Sequence, residues 1–388
     1  MSCNCNCKHG FNKVEIPCNN KPICEEKKGS KDKCHNTEIP DGCDNQQADN
    51  QQANNQQANN RKYRTFNYPS TEDGDKTLLT GIRQKTDSSR YYVSGFYVPS
   101  DLAQTTSFVY KGCLNGKGKF FNLNFPLDNV ITNLYGPNNG PLNSKHNDDI
   151  QVVGNYNNTS VNLGCLYQGN INGNGKWTTI TPNASVNTIC HSTMGGLVVG
   201  NYDTESQEKL SKAFIYDIET REFFDIVNVN AASISAYGIW HNGGSSYTIC
   251  GGYAISNDIV PRTIAYVVDW NNETHQLSNW QSYHFENNPE KAFITHFDGI
   301  TGGEHGSYNL TGDWAGIALP SDEVGFYVSI KRQGYCEKFQ VTPEWSSISF
   351  PGAEITSGNS VVNSIVIGVY TGINDNGVNG YVSNIVSK

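Results

Sequence analysis

The sequence predicts an all-β fold, a β-propeller of six four-stranded blades in which a strand from the N-terminal side closes the last blade. Three observations predict it. A glycine-centred apolar segment recurs six times: YVSGFY (92–97), VVGNY (152–156), VVGNY (198–202), ICGGY (249–253), LTGDW (310–314) and VIGVY (366–370). Its glycines are Gly95, Gly154, Gly200, Gly251, Gly312 and Gly368, at gaps of 59, 46, 51, 61 and 56 residues. A unit repeated at this period points to a repeat architecture. The second observation is strand chemistry on both sides of each glycine. The third is that the last unit runs out one strand short while a matching strand lies ahead of the first unit.

From the N-terminus, residues 1–43 hold seven of the twelve cysteines: Cys3, Cys5, Cys7, Cys18, Cys24, Cys34 and Cys43. Large apolar residues are scarce there, so this tail alone cannot offset its chain entropy and is expected to be disordered. Disulfide cross-linking and zinc binding are both open to it. Cys-X-Cys-X-Cys with His9, and Cys34 beside His35, offer zinc donors, but the remaining spacings are not those of knuckles or ribbons. Seven is odd, so at least one thiol is left to pair with another chain, another copy or a neighbouring protein. Residues 44–60, DNQQADNQQANNQQANN, read as a flexible polar linker.

The repeat domain then spans 61–388. KYRTFNYP (62–69) aligns with KFFNLNFP (119–126), pairing Lys62 with Lys119, Asn67 with Asn124 and Pro69 with Pro126. It is therefore the strand that completes the last blade and removes the open sheet edge. Each glycine segment is followed by a second apolar run: SFVYKG (107–112), GCLYQG (164–169), AFIYDI (213–218), AYVVDW (265–270), GFYVSI (325–330) and GYVSNI (380–385). Aromatic and β-branched residues dominate them. Outer runs follow in several units, KFFNLNFP, KWTTITP (176–182), EFFDIV (222–227) and KFQVTP (338–343). An inner run precedes each glycine: LLTGIR (78–83), TNLYGP (132–137), VNTICH (186–191), SAYGIW (235–240), THFDGI (295–300) and AEITSG (353–358). Four short strands per unit make a propeller blade. Five or seven blades, or two antiparallel sandwiches, are the alternatives. TESQEKLSKAF (204–214) is the one stretch that reads as a helical turn.

SAYGIWHNGGSSYTICGGY (235–253) with AYVVDW, and VVGNYDTESQEKLSKAFIYDI (198–218), resemble the HAF extracellular repeat. That resemblance covers most of 78–385, implies a propeller-like array and brings no catalytic residues. Trp240 and His241 replace its small polar turn. The opening MSCNCNCKHG resembles the start of Cys-rich spore outer-layer proteins, and the Asn/Gln-rich style is similar to that of giant-virus proteins.

Net charge is −9, which argues against a nucleic-acid partner. No apolar run approaches a membrane span, and the N-terminus lacks the apolar core of a signal peptide. The five cysteines of the repeat domain, Cys113, Cys165, Cys190, Cys250 and Cys336, read as small buried hydrophobes.

Candidate channel residues are His191, His241 and His296, in or beside predicted inner strands, with Asp298 nearby. Imidazole and carboxylate side chains that converge on an axis do acid–base work or hold a metal. A sialidase-like site would need three converging arginines. Of the seven in the chain, only Arg83 ends an inner run. The acidic pairs Asp148/Asp149 and Asp322/Glu323 read as solvated turns, with calcium as the alternative.

Three functions are therefore on the table. The leading expectation is a non-enzymatic structural or adhesive protein on a virion or spore surface, tethered by tail disulfides and displaying the propeller to protein or carbohydrate. The second is an intracellular protein-interaction module with a zinc-binding tail. The third is a glycan-acting hydrolase or lyase using the channel, which requires His241, His296 and Asp298 to converge.

Overall fold

The computed structural model describes residues 62–385 apart from 70–71, 87, 102–104, 141–147, 159–160, 206–209, 256–261, 317–322, 333–337 and 373–375. The tail cysteines and the 44–60 linker lie outside the described residues.

Strand β1 (Tyr63–Thr65) comes first, and six four-stranded units follow. Blade 1 is β2 (Lys76–Gln84), β3 (Tyr91–Val98), β4 (Thr106–Gly112) and β5 (Gly118–Asn122). Blade 2 is β6 (Ile131–Asn139), β7 (Asp149–Asn158), β8 (Val161–Asn170) and β9 (Gly175–Ile180). Blade 3 is β10 (Ser185–Met194), β11 (Leu197–Thr204), β12 (Ser211–Asp217) and β13 (Phe223–Ile226). Blade 4 is β14 (Ser233–Gly243), β15 (Ser246–Ala254), β16 (Thr263–Asn271) and β17 (Gln276–Tyr283). Blade 5 is β18 (Ala292–Gly302), β19 (Tyr308–Gly316), β20 (Val324–Ile330) and β21 (Trp345–Ile348). In blade 6 the inner strand is split into β22 (Ala353–Thr356) and β23 (Ser360–Val362), followed by β24 (Ile365–Gly372) and β25 (Asn379–Asn384).

Every blade is an antiparallel meander in chain order. β1 pairs with β25, Tyr63 opposite Ser383 and Thr65 opposite Tyr381, so the N-terminal side supplies the fourth strand of blade 6. The first strands of successive blades touch in turn, and β23 touches β2. The ring is closed at six.

The core lies between blade faces. Strand residues alternate sides, so Leu197 and Val199 pack towards blade 4 with Ile249 and Tyr266. Val198 between them packs towards blade 2 with Val153 and Leu166. Each blade is thus buried on both sides, which is why its strands read as nearly continuous apolar runs.

The repeat glycines have one structural cause. A Cβ on Gly95, Gly154, Gly200, Gly251, Gly312 or Gly368 would stand 1.9–2.2 Å from a backbone oxygen of the inner strand. The oxygens belong to Leu78, Asn133, Ile189, Ser235, His296 and Ser357. No side chain fits at that approach.

Some sequence expectations change. KFQVTP is not the outer strand of blade 5. Phe339 makes an isolated bridge to Arg332, and Trp345–Ile348 pairs with β20 instead. Buried Phe339 packs into the core between blades 4 and 5, which draws this run off the sheet edge. The C-terminal part of the helical reading at 204–214 is strand β12, because Ala213 and Phe214 face opposite cores. Cys113 is disulfide-bonded rather than a buried thiol. Cys165, Cys190 and Cys250 are buried free thiols, and burial pushes each of them up. They are expected to stay inert to a thiol reagent in the native protein and to react together on unfolding. Labelling of the native protein, read by peptide mass, checks this.

Candidate functional site

Each inner strand of blades 1 to 5 carries a register break directly after the partner of its repeat glycine, so that these breaks fall at one level. The partners of the repeat glycines are Leu79, Leu134, Cys190, Ala236 and Phe297. Pairing skips the next position: Thr80, Tyr135 (with Gly136), His191, Tyr237 and Asp298. In blade 6 the gap between β22 and β23, Ser357–Asn359, takes this place. A bulge frees a residue from the ladder and re-aims its side chain, here towards the axis. The residue that follows each of these positions is Gly81, Gly136 (itself still within the blade 2 bulge), Ser192, Gly238, Gly299 or Ser360. A Cβ on Gly81 would meet the Tyr135 oxygen at 2.3 Å, and one on Gly299 would meet Ser360 at 2.8 Å. Small residues recur there because neighbouring inner strands come closest at this level.

The ring is divided chemically. On blades 2 to 4 it is aromatic and neutral. The Tyr135 and His191 ring centres are 5.2 Å apart, those of His191 and Tyr237 4.7 Å, and those of Tyr237 and His296 5.7 Å. His191 Nε2 lies 2.7 Å from Asn201 Oδ1. Burial pushes His191 down to about 4, against the pull of that hydrogen bond. The sign follows from proton uptake. As pH falls below about 6.5 the unfolded chain protonates His191, whereas the folded protein resists until about 4. Stability is therefore expected to fall across that window, by about 3 kcal/mol from this group. Urea denaturation from pH 7 to pH 4 checks it, since His191→Gln should flatten the profile.

On blade 5 the ring is charged. His296 Nδ1 lies 3.0 Å from Asp298 Oδ1, and His296 Nε2 lies 3.7 Å from Glu323 Oε1. Asp313 comes from β19, opposite His296 in the ladder, and accepts the Gly358 N–H at 2.7 Å. Ligand atoms of His296, Asp298 and Asp313 all lie within 4.8 Å of one another. Asp313 is 5% exposed, while the side chains of His296 and Asp298 keep 20% and 18% exposure and that of Glu323 keeps 40%. The group is thus buried on its inner side and accessible on its outer side.

Burial, then the charges of Asp298 and Glu323, hold the Asp313 carboxyl well above the ordinary carboxylate range, although His296 and the Gly358 N–H oppose them. Burial also raises Asp298, against the charge and hydrogen bond of His296. Burial works against the His296 charge, but Asp298 and Glu323 together outweigh it and raise His296 well above its usual value. The arrangement sets a buried carboxyl with a raised pKa beside a histidine–carboxylate pair whose members are raised as well. Its ligand atoms are close enough to hold one cation.

Of the residues singled out from sequence, His296 and Asp298 are brought together, and His191 lies on the same ring two blades away. His241 does not join them. It lies beyond the bulge at the hairpin tip, where Nε2 is 2.9 Å from the Gly244 oxygen and the ring stacks on Tyr247 at 4.7 Å. Sequence reasoning misses Asp313 and Glu323. Glu323 reads as part of a solvated turn, whereas the strand that follows it carries it to His296. Asp313 has a signal: it is the residue after a repeat glycine, where blades 2 and 3 have Asn155 and Asn201, and it is the one acid at that place. Asp148 instead pairs with Lys111 and, at 3.9 Å, with Lys85, away from the cluster.

Fold and cluster together define a six-bladed propeller with a buried acid–base group on its axis. No protein-family model matches the chain, and no curated protein matches it. Among solved structures it is similar to a Penicillium chrysogenum α-L-arabinanase complexed with arabinobiose, at 12% identity over 80% of this chain and 93% of that one, TM-score 0.46. It is also similar to a GH93 α-L-arabinofuranosidase of Fusarium graminearum with arabinobiose, at 9% identity, 80% and 93% coverage, TM-score 0.44. An ulvan lyase bound to a glucuronate–rhamnose sulfate oligosaccharide matches at 12% identity, 83% and 84% coverage, TM-score 0.41. These similarities concern the fold. The expectation of a non-enzymatic structural or adhesive particle protein is nevertheless corrected: the structural neighbours are glycoside hydrolases and a polysaccharide lyase. Four ionisable side chains gathered around a buried Asp313 are also more than a display scaffold needs.

Proposed function

We propose that this protein is a glycan-acting hydrolase or lyase whose chemistry takes place at the His296–Asp298–Asp313–Glu323 cluster. The observation that carries this reading is Asp313, a buried carboxyl whose pKa burial holds well above the ordinary range, beside the His296–Asp298 pair. A carboxyl raised in this way keeps its proton to higher pH and is suited to donate it to a leaving oxygen.

The spacing assigns the roles. Catalytic carboxyls that flank a glycosidic bond stand about 5–5.5 Å apart in retaining hydrolases and about 6.5–9.5 Å apart in inverting ones. Ligand atoms of Asp298 and Asp313 lie within 4.8 Å of each other, so we group them as the acid side of the site. His296 links that side to Glu323, the most exposed acid and the one placed to act as base or nucleophile. The neutral arc of Tyr135, His191 and Tyr237 offers aromatic faces on which a sugar ring can pack.

The test is incubation with a panel of neutral and acidic polysaccharides, scoring new reducing ends and new unsaturated ends separately. Products formed by wild type and lost in Glu323→Gln are expected, and the type of end separates hydrolysis from elimination. No product from any polysaccharide, or products that survive both Glu323→Gln and Asp313→Asn, would overturn the reading. Chelator treatment is expected to leave turnover intact, since acid–base catalysis by the four side chains alone needs no cation. Loss of turnover that an added divalent cation restores would replace the proton with a metal.

A further inference from the structure

Arg83 is a buried cation with no counter-charge among the described residues. It lies near the end of inner strand β2 and is 9% exposed, and its Nε and Nη1 have no hydrogen-bond partner. No ion pair involves it among the described residues. Burial pushes its guanidinium down to about 10, still protonated at neutral pH. Its central carbon lies 5.5 Å from the Trp240 ring. Trp240 is on the inner strand of blade 4, so this contact crosses the axis to the blade opposite. A Cβ on Gly302 would stand 2.5 Å from Trp240 Nε1, so the missing side chain leaves room for the indole to lie across blade 5. Beside Gly302, the Thr301 hydroxyl is buried and has no partner either.

These groups share a level. Arg83, Trp240 and Thr301 each lie three residues beyond the bulge residue of their own strand, about 10 Å along the strands at 3.3 Å per residue. The acid cluster and the unpaired guanidinium therefore follow one another along the same axis.

Arg332 shows how this chain treats a comparable arginine. Its guanidinium carbon lies 4.3 Å from the Phe339 ring, and Nη2 is 2.5 Å from Asp269, which also accepts from Thr248 and Asn279. Ring and carboxylate are both present. Arg83 has the ring and lacks the carboxylate. A buried unpaired charge is costly, and a planar guanidinium matches a carboxylate through two parallel hydrogen bonds, as it does a phosphate.

We propose that the carboxylate Arg83 lacks is supplied by the ligand, so that the channel selects an acidic glycan, one that carries uronate residues. The proposal rests on the glycan reading above and names its substrate class. Arg83 binds the uronate while the cluster on blade 5 acts on a neighbouring linkage.

The test is calorimetric titration of the full chain, at constant ionic strength, with oligomers of galacturonate, mannuronate and glucuronate, each beside its carboxyl-reduced neutral counterpart. At least one oligouronate is expected to bind about tenfold or more tightly than its neutral counterpart. Arg83→Lys is expected to lose about tenfold, since a point charge replaces a planar fork, and Arg83→Met to lose the acid preference altogether. Acetate and sulfate in excess distinguish a free anion from a glycan carboxylate and are expected not to displace the oligomer. The proposal is overturned if no oligouronate outbinds its neutral counterpart, if both variants keep the preference, or if acetate or sulfate displaces the ligand. The comparison of acid with neutral oligomers on wild type needs no variant to fold. Binding without cleavage would uphold Arg83 and sink the enzyme reading. Cleavage confined to neutral glycans would do the reverse.

Discussion

Asp313→Asn is expected to lower kcat on a cleavable glycan by about 10²- to 10⁴-fold, the range a positioned general acid contributes, with little change in KM. Asn has the shape of the protonated carboxyl and can still accept the Gly358 N–H through Oδ1, but it has no proton to give. The fold already carries Asn at the matching place in blades 2 and 3, as Asn155 and Asn201, so the substitution is locally tolerated. The pH profile separates a catalytic loss from a structural one. Asp313, Asp298 and His296 all have raised values in the folded protein. The native state therefore binds more protons than the unfolded chain above the ordinary carboxylate range. The stability tied to them is full at low pH and is lost as pH rises through their raised values. Removing the Asp313 carboxyl removes part of that loss. Asp313→Asn should thus be inactive and also more stable than wild type on the alkaline side. A variant inactive because it is misfolded would be less stable at every pH, and that result would remove Asp313 from the catalytic role.

What is legible in the sequence is whatever the backbone repeats without variation. Gly95, Gly154, Gly200, Gly251, Gly312 and Gly368 are glycine because each meets an inner-strand oxygen, a constraint that is the same in every blade. The closing strand is legible because β1 must copy the outer-strand pattern to pair with β25. The axial ring is not, because there the backbone repeats while the side chain does not: Thr80, Tyr135, His191, Tyr237 and Asp298 share one bulge and little chemistry. Its glycine marker is also displaced by hairpin length. Gly81 precedes Gly95 by 14 residues, Gly136 precedes Gly154 by 18, and Ser192 precedes Gly200 by 8. A fixed-spacing comparison cannot align them. His241 is misplaced because the axial position is Tyr237: His241 lies four residues beyond that bulge, beside the turn that joins β14 to β15.

Gly312→Ala tests whether the site depends on that invariant contact, and it is expected to cost about 3 kcal/mol or more, at the upper end for overpacking. The new Cβ would stand 1.9 Å from the His296 oxygen, 2.9 Å from its carbonyl carbon and 3.0 Å from the Phe297 Cα. All three are backbone atoms, so no flexible side chain can swing aside. Gly116→Ala is the matched control. Gly116 has φ +87, and a Cβ there would have nothing within 4 Å, so alanine meets backbone strain alone and should cost about 1 kcal/mol. Urea denaturation of both variants separates the two costs. The clash also acts on function, because the strand it displaces holds His296 and, two residues on, Asp298. A shift of that strand moves the histidinium away from Asp313, whose residue pairs with His296 across the ladder. Gly312→Ala should therefore lose turnover at temperatures where it is still folded, while Gly116→Ala keeps it. Equal stability losses in the two variants would mean that the blade absorbs the contact, and the repeat glycine would then need an explanation other than the carbonyl it faces.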